Sequence, residues 1–244
     1  MTSYRVSVAR RADGSADAWV VELPGCRAAA GGLHEALALL PVVVGDHLAW
    51  LAGHGERVSP GAATEFDVVE DVRPAGDVIF ESDREAITRE QLDLAITNAG
   101  YAHADLIARL EHLPDVVLDW VPPASAVKID QIFPEVRSMR HMLEHLATVE
   151  SNFYVGSLAD QPVLVPAPTL SELHDQTAAR LRALPDDALS RVYLRSTPRG
   201  DSEWTVRKAL RRIINHKRFH TREIEQRLAW LTLGVPEILP QNRE

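Results

Sequence analysis

The hydrophobic period of this sequence changes along the chain, and that change restricts the fold more than any other feature. Up to about residue 70, short segments such as 4–9 and 18–23 alternate apolar and polar residues, which is typical of half-buried strands. From about residue 88 onwards, apolar residues recur every three or four positions, as they do on amphipathic helices. We therefore predict an α+β chain in which a small α/β part precedes a helical part.

The first part has the turn and helix signals of a compact α/β domain. Residues 12–15, Ala-Asp-Gly-Ser, have the composition of a hairpin turn, and residues 64–69 fit a third strand. A helix is predicted over about 33–52, bent or broken at Pro41 because proline cannot donate the backbone hydrogen bond. Residues 71–83 contain Pro74, Gly76 and several acids, as a linker does. The predicted organisation is a first domain at 1–70, a linker at 71–84, a helical domain at 85–236 and a tail at 237–244.

The helical part contains four amphipathic segments. Thr88 with Gln91 and Thr169 with Glu172 form capping boxes, and Pro134 suits the first position of a helix. The predicted bounds are about 88–113, 134–157, 169–184 and 205–234. Four amphipathic helices in sequence predict a four-helix bundle, in which cofactor sites are built from facing helices.

Three histidines have the placement of metal ligands. His216 and His220 are four residues apart, so both lie on one side of the last helix, at the flank and near the centre of its apolar stripe. His145 lies at the border of the apolar stripe of the second helix. Three imidazoles from adjacent helices can bind a divalent metal at ~2.0–2.1 Å and leave an exchangeable position. His141 is the alternative second-helix ligand, although it points further towards solvent, and each histidine is also compatible with ordinary packing.

Two charged residues lie close to these histidines. Lys217 falls inside the apolar stripe of the last helix, where it would line a pocket and meet an anionic substrate, or extend to water at a splayed end of the bundle. Glu150 would accept a hydrogen bond from a ligand histidine or pair with an arginine. The sequence leaves both pairs of alternatives open.

Composition excludes several classes of protein. A net charge of −9 repels phosphate backbones and disfavours nucleic-acid binding. A single cysteine, Cys26, cannot form an internal disulfide, which fits a reducing cytoplasm. The N-terminus lacks the pattern of a signal peptide, and the longest apolar stretch, interrupted by Pro41, is shorter than the ~20 residues of a membrane span. We expect a cytoplasmic protein with a small-molecule substrate.

Residues 23–26, Leu-Pro-Gly-Cys, and 34–37, His-Glu-Ala-Leu, resemble the HicB-like family of small α/β domains. The resemblance covers about the first 70 residues. In antitoxin members a DNA-binding segment follows, whereas this chain continues into an unrelated helical part. The resemblance therefore implies a binding or docking module rather than a DNA-binding antitoxin.

Residues 145–150, His-Leu-Ala-Thr-Val-Glu, and the segments 204–207 and 215–220 resemble the DinB superfamily over about 84–236. The resemblance implies an up-down-down-up four-helix bundle that holds zinc or nickel on His145, His216 and His220. It also implies a homodimer and the activation of a low-molecular-weight thiol for S-transfer, with hydrolysis by activated water as the competing chemistry. The alternative is a non-catalytic, metal-stabilised binding or stress-response protein whose HicB-like domain docks a partner.

Overall fold

The computed structural model describes residues 2–58, 64–74, 77–123, 138–160, 165–197 and 200–235. The first part consists of β1 (Thr2–Arg10), β2 (Ala16–Val20), β3 (Arg27–Ala30), α1 (Leu33–Gly53) and β4 (Thr64–Val72). The second consists of α2 (Glu81–Arg84), α3 (Arg89–Leu110), α4 (Asp115–Leu118), α5 (Met139–Thr148), α6 (Leu170–Arg182), β5 (Tyr193–Thr197), β6 (Gly200–Trp204) and α7 (Val206–Leu233). The predicted α+β class is confirmed.

Four strands form a sheet in the order β3-β2-β1-β4. β1 pairs antiparallel with β2, β2 pairs antiparallel with β3, and β4 returns after α1 to lie parallel to β1. The second predicted strand was expected to reach Leu23, but it ends at Val20 and the chain reverses. The Val20 N–H donates to the Cys26 carbonyl and the Cys26 N–H donates to the Leu23 carbonyl, which closes a turn that leads into β3. β3 escaped prediction because it has only four residues.

α1 continues through Pro41, so the helix is not broken there. Leu40 and Val44 are buried on either side of Pro41, in the hydrophobic core between α1 and the four-stranded sheet. Their packing stabilises the helix where proline has no backbone N–H to donate. The apolar stretch that was expected to be interrupted at Pro41, and to be too short for a membrane span, is part of one helix of 21 residues. α1 has the length and composition of a bilayer span, with a mean hydropathy of 1.6, a criterion that core helices also meet.

The four long helices α3, α5, α6 and α7 form the predicted bundle, with contacts that run in a ring from α3 to α7, α5, α6 and back to α3. Leu106, Leu146, Leu173 and Ile224 contribute one side chain from each helix to a shared buried cluster. α5 therefore lies beside α7, which carries two of the three candidate histidines. The predicted start of the second helix at Pro134 lies outside the described residues, as does the predicted tail at 237–244.

The four-stranded sheet together with α1, here called the sheet domain, packs directly on the bundle. Gly25 has a φ of +85°, and a Cβ added to it would lie 2.5 Å from Cγ2 of Ile214 on α7. The Asn215 amide donates to the Gly25 carbonyl at 3.2 Å. On α1, the Trp50 indole N–H donates to Asp105 of α3 at 2.7 Å. The Leu-Pro-Gly-Cys turn and α1 thus both contact the bundle.

We expect Gly25→Ala to lower the free energy of unfolding by about 2–4 kcal/mol in a urea titration. About 1 kcal/mol reflects the positive φ, and the remainder reflects the clash with Ile214. Gly55→Ala is the matched control, because Gly55 has a φ of +87° but no atom within 4 Å of its added Cβ. Equal losses for the two variants would contradict this packing of the sheet domain on α7.

Candidate metal centre

His145, His216 and His220 converge between α5 and α7. Nε2 of His216 lies 2.9 Å from Nε2 of His220, and one ring nitrogen from each of the three residues lies within 4.8 Å of the others. Metal–nitrogen bonds of ~2.0–2.1 Å at tetrahedral angles place ligand nitrogens roughly 3.3 Å apart. The three rings therefore fit a single divalent ion after small side-chain adjustments, and the donor set is one that zinc and nickel accept.

The helices that carry these rings explain the convergence. His216 and His220 are one turn apart on α7, between Ile213 and Ile224, which are both fully buried. On α5, His145 directly precedes the buried Leu146, whereas His141 is exposed. The structure thus brings His145, rather than His141, to the pair on α7.

The surroundings of His216 keep its imidazole neutral. Burial lowers the pKa of His216 well below its usual value, and the neighbouring His220 and His145 lower it further. A neutral imidazole keeps the lone pair that a metal requires. Nδ1 of His220 lies 2.7 Å from the Glu223 carboxylate, which fixes a tautomer with Nε2 turned towards the other rings. Glu223 was missed in the sequence, although a carboxylate three residues after a ligand histidine is a detectable signal.

We expect Glu223→Ala to weaken metal binding by about 10–100-fold, because the carboxylate orients His220 and raises its basicity. Competition with a chromophoric chelator measures the change. Glu225→Ala is the control: Glu225 lies on the same helix, is also partly exposed and pairs with Arg109 instead. Similar affinities for the two variants would contradict the orienting role of Glu223.

Lys217 and Glu150 form a buried ion pair. The Lys217 ammonium, with no exposed surface, lies 3.0 Å from the Glu150 carboxylate, which is 1% exposed. Thr177 on α6 donates to the same carboxylate at 2.8 Å. Lys217 is therefore buried and does not extend to water, and Glu150 pairs with a lysine instead of a histidine or an arginine. An ammonium in this core requires a counter-charge, which the sequence could not assign.

A π-helical segment, Val149–Tyr154, follows the helix of His145. It brings the buried Tyr154 ring to 5.6 Å from the His216 ring, measured between centroids. Burial raises the pKa of Tyr154, so its hydroxyl stays protonated. Single π turns within helices are frequent at functional sites. Tyr154 thus forms an apolar wall beside the histidines, with a neutral hydroxyl.

The other histidines predicted as surface or packing residues do not join this cluster. His47 pairs with Arg218, and His54 with Asp105, where α1 meets the bundle. His103 and His174 stack on each other with ring centroids 5.8 Å apart. Within the described ranges, the three-histidine group is the one cluster of three or more side chains with the spacing of metal ligands.

Comparison with known proteins connects this site to a family. The model of the DinB superfamily matches residues 101–224, just over half of the chain and including all three histidines. Among solved structures, the chain is similar to YfiT from Bacillus subtilis, described as a probable metal-dependent hydrolase with an unusual four-helix bundle topology. The identity is 22%, with a TM-score of 0.44, over 69% of this chain and 97% of that one. No curated protein matches. By its family match over residues 101–224, this chain belongs to the DinB superfamily.

Proposed function

We propose that this protein is a metal-dependent enzyme in which His145, His216 and His220 hold a divalent ion, zinc or nickel. The observation that carries the proposal is the approach of three ring nitrogens from two helices to within 4.8 Å of one another. Three neutral ligands leave the ion its full positive charge and at least one position for a further ligand. A bound ion of this kind lowers the pKa of a coordinated water or thiol and polarises a substrate carbonyl.

The residues of the chain itself prepare the site for such chemistry. Glu223 accepts a hydrogen bond from Nδ1–H of His220 and so directs the Nε2 of that ring inward. The buried Tyr154 and the apolar residues of α5 and α7 limit the access of bulk water, which strengthens electrostatic interactions within the site. The buried pair of Lys217 with Glu150 links the two ligand-bearing segments of chain without presenting a net charge.

We propose a low-molecular-weight thiol as the co-substrate, with transfer of its sulfur to an electrophile. Cys26 is fully buried in the sheet domain, and burial raises its pKa to about 12. A thiol in this state is a poor nucleophile, so the sulfur that reacts has to arrive with a small molecule. Hydrolysis by a metal-activated water is the competing reaction at the same site.

Metal analysis followed by substrate-depletion assays tests this proposal. The purified protein, loaded with zinc or nickel, is incubated with glutathione, bacillithiol or mycothiol and a chlorinated aromatic electrophile, and in parallel with ester and amide substrates. We expect metal-dependent thiol consumption that His216→Ala abolishes. Turnover of an ester without a thiol would favour hydrolysis. Bound metal without turnover in any assay would favour the non-catalytic scaffold.

The non-catalytic alternative assigns the sheet domain to partner docking. Its support is the arrangement of strands, Leu-Pro-Gly-Cys turn and helix, together with Leu39 and Val42, which are 42% and 62% exposed on α1. Several features stay predictions. They are the HicB-like assignment of residues 1–70, the boundaries at 71–84 and 85–236, the homodimer, the absence of nucleic-acid partners and the cytoplasmic location.

A further inference from the structure

A cleft of about 580 Å³ lies between the sheet domain and the bundle. Leu23 from the turn and Leu51 from α1 line one side of it, and Leu94 of α3 and Leu210 of α7 line the other. Its volume falls within the range of pockets that enclose small organic ligands, which commonly lie at domain interfaces.

Contacts between the two parts frame this cleft. Before α3, Arg5 of β1 donates to Glu85 at 3.1 Å. One turn beyond the cleft along α3, Tyr101 donates to Glu56 at 2.8 Å. The sheet domain thus contacts the bundle on both sides of the segment of α3 that lines the cleft. The cleft is therefore flanked by direct contacts between the two parts.

Four arginines and four carboxylates line the cleft, and Arg207 is the arginine on which an anion could bind. Arg207 lines it and donates to three neutral oxygens, the carbonyls of Glu85 and Ala86 and Oε1 of Gln91. None of the carboxylates in the described part of the chain forms an ion pair with Arg207. An arginine held in place by neutral acceptors retains a full charge and can direct further N–H groups at a carboxylate.

We propose that this cleft binds a small amphipathic carboxylate. Its apolar body lies between Leu51, Leu94 and Leu210, and its carboxylate meets Arg207. The site is separate from the candidate metal centre: none of the three candidate ligands lines the cleft, and at about 100° per residue Arg207 faces the side of α7 opposite His216. The proposal therefore stands or falls independently of the enzymatic function proposed above.

Isothermal titration calorimetry on the full chain tests the proposal with decanoate, a ten-carbon monocarboxylate. We expect saturable binding of one decanoate per chain, at least about ten-fold tighter than that of decanol or decyltrimethylammonium. Arg207→Gln weakens decanoate binding by about ten-fold or more, and Arg207→Lys restores part of it. His216→Ala, which affects the metal centre alone, leaves decanoate binding unchanged.

A pair of exposed leucines provides a matched control for folding. Leu94, 52% exposed, lines the cleft, whereas Leu194, 65% exposed, lies on β5 away from it. Leu94→Glu adds a negative charge to the cleft and should abolish decanoate binding, while Leu194→Glu should retain it. The proposal is overturned if decanoate shows no saturable heat up to about 1 mM, if decanol binds equally well, or if the two glutamate variants bind alike.

Discussion

His216→Ala should remove the divalent ion from the protein. We expect about one ion per chain in the wild type after dialysis, and less than about one tenth of that in His216→Ala or His220→Ala. The physical reason is that His216 and His220 supply two of the three metal-binding nitrogens. Their Nε2 atoms lie 2.9 Å apart. Loss of one donor should cost more than the 10–100-fold that removal of an outer hydrogen-bond partner costs. Elemental analysis by mass spectrometry measures the metal content directly.

Thermal unfolding gives a second readout of the same variants. A ligand at 100 times its Kd stabilises the folded state by about 2.7 kcal/mol, so added zinc should raise the Tm of the wild type and leave His216→Ala unchanged. His141→Ala is the control, because His141 is exposed one turn before His145. Metal loss in His141→Ala but not in His145→Ala would make His141 the ligand on α5. Wild-type metal content in His216→Ala would remove the basis of the enzymatic proposal.

Glu150→Leu should destabilise the fold by about 3–5 kcal/mol, because it leaves the Lys217 ammonium buried without its counter-charge. The double variant Glu150→Leu/Lys217→Met removes both charges and should recover at least about 2 kcal/mol of that loss. Urea titrations of the wild type, both single variants and the double variant form a cycle that isolates the pair. A double variant no more stable than Glu150→Leu would contradict the ion pair.

The local features of the fold were predictable because each depends on neighbours in sequence. Thr88 and Gln91 form both hydrogen bonds of the predicted capping box at the start of α3. Thr205 accepts from the backbone N–H of Lys208 and caps α7 where the last helix was expected to begin. The hydrophobic periods gave the α+β class and the four helices. Backbone hydrogen bonds and side-chain periods of this kind span only a few residues, so a single sequence contains them.

Features that depend on contacts between distant parts of the chain were harder to predict from the sequence. β3 exists because Arg27–Ala30 pairs with β2, and Pro41 is accommodated because Leu40 and Val44 pack on both sides of it. Neither effect has a signature within the segment itself. The cleft between the sheet domain and the bundle likewise arises only when the two parts meet.

The same distinction between local and long-range features applies to the candidate metal site. The sequence by itself determined that His216 and His220 share one side of a helix, because a spacing of four residues fixes their direction. Only the tertiary structure decided that His145 meets them, and that Lys217 is neutralised by Glu150 from a different helical segment. A helix specifies the relative directions of its own side chains, whereas their partners depend on how separate helices pack.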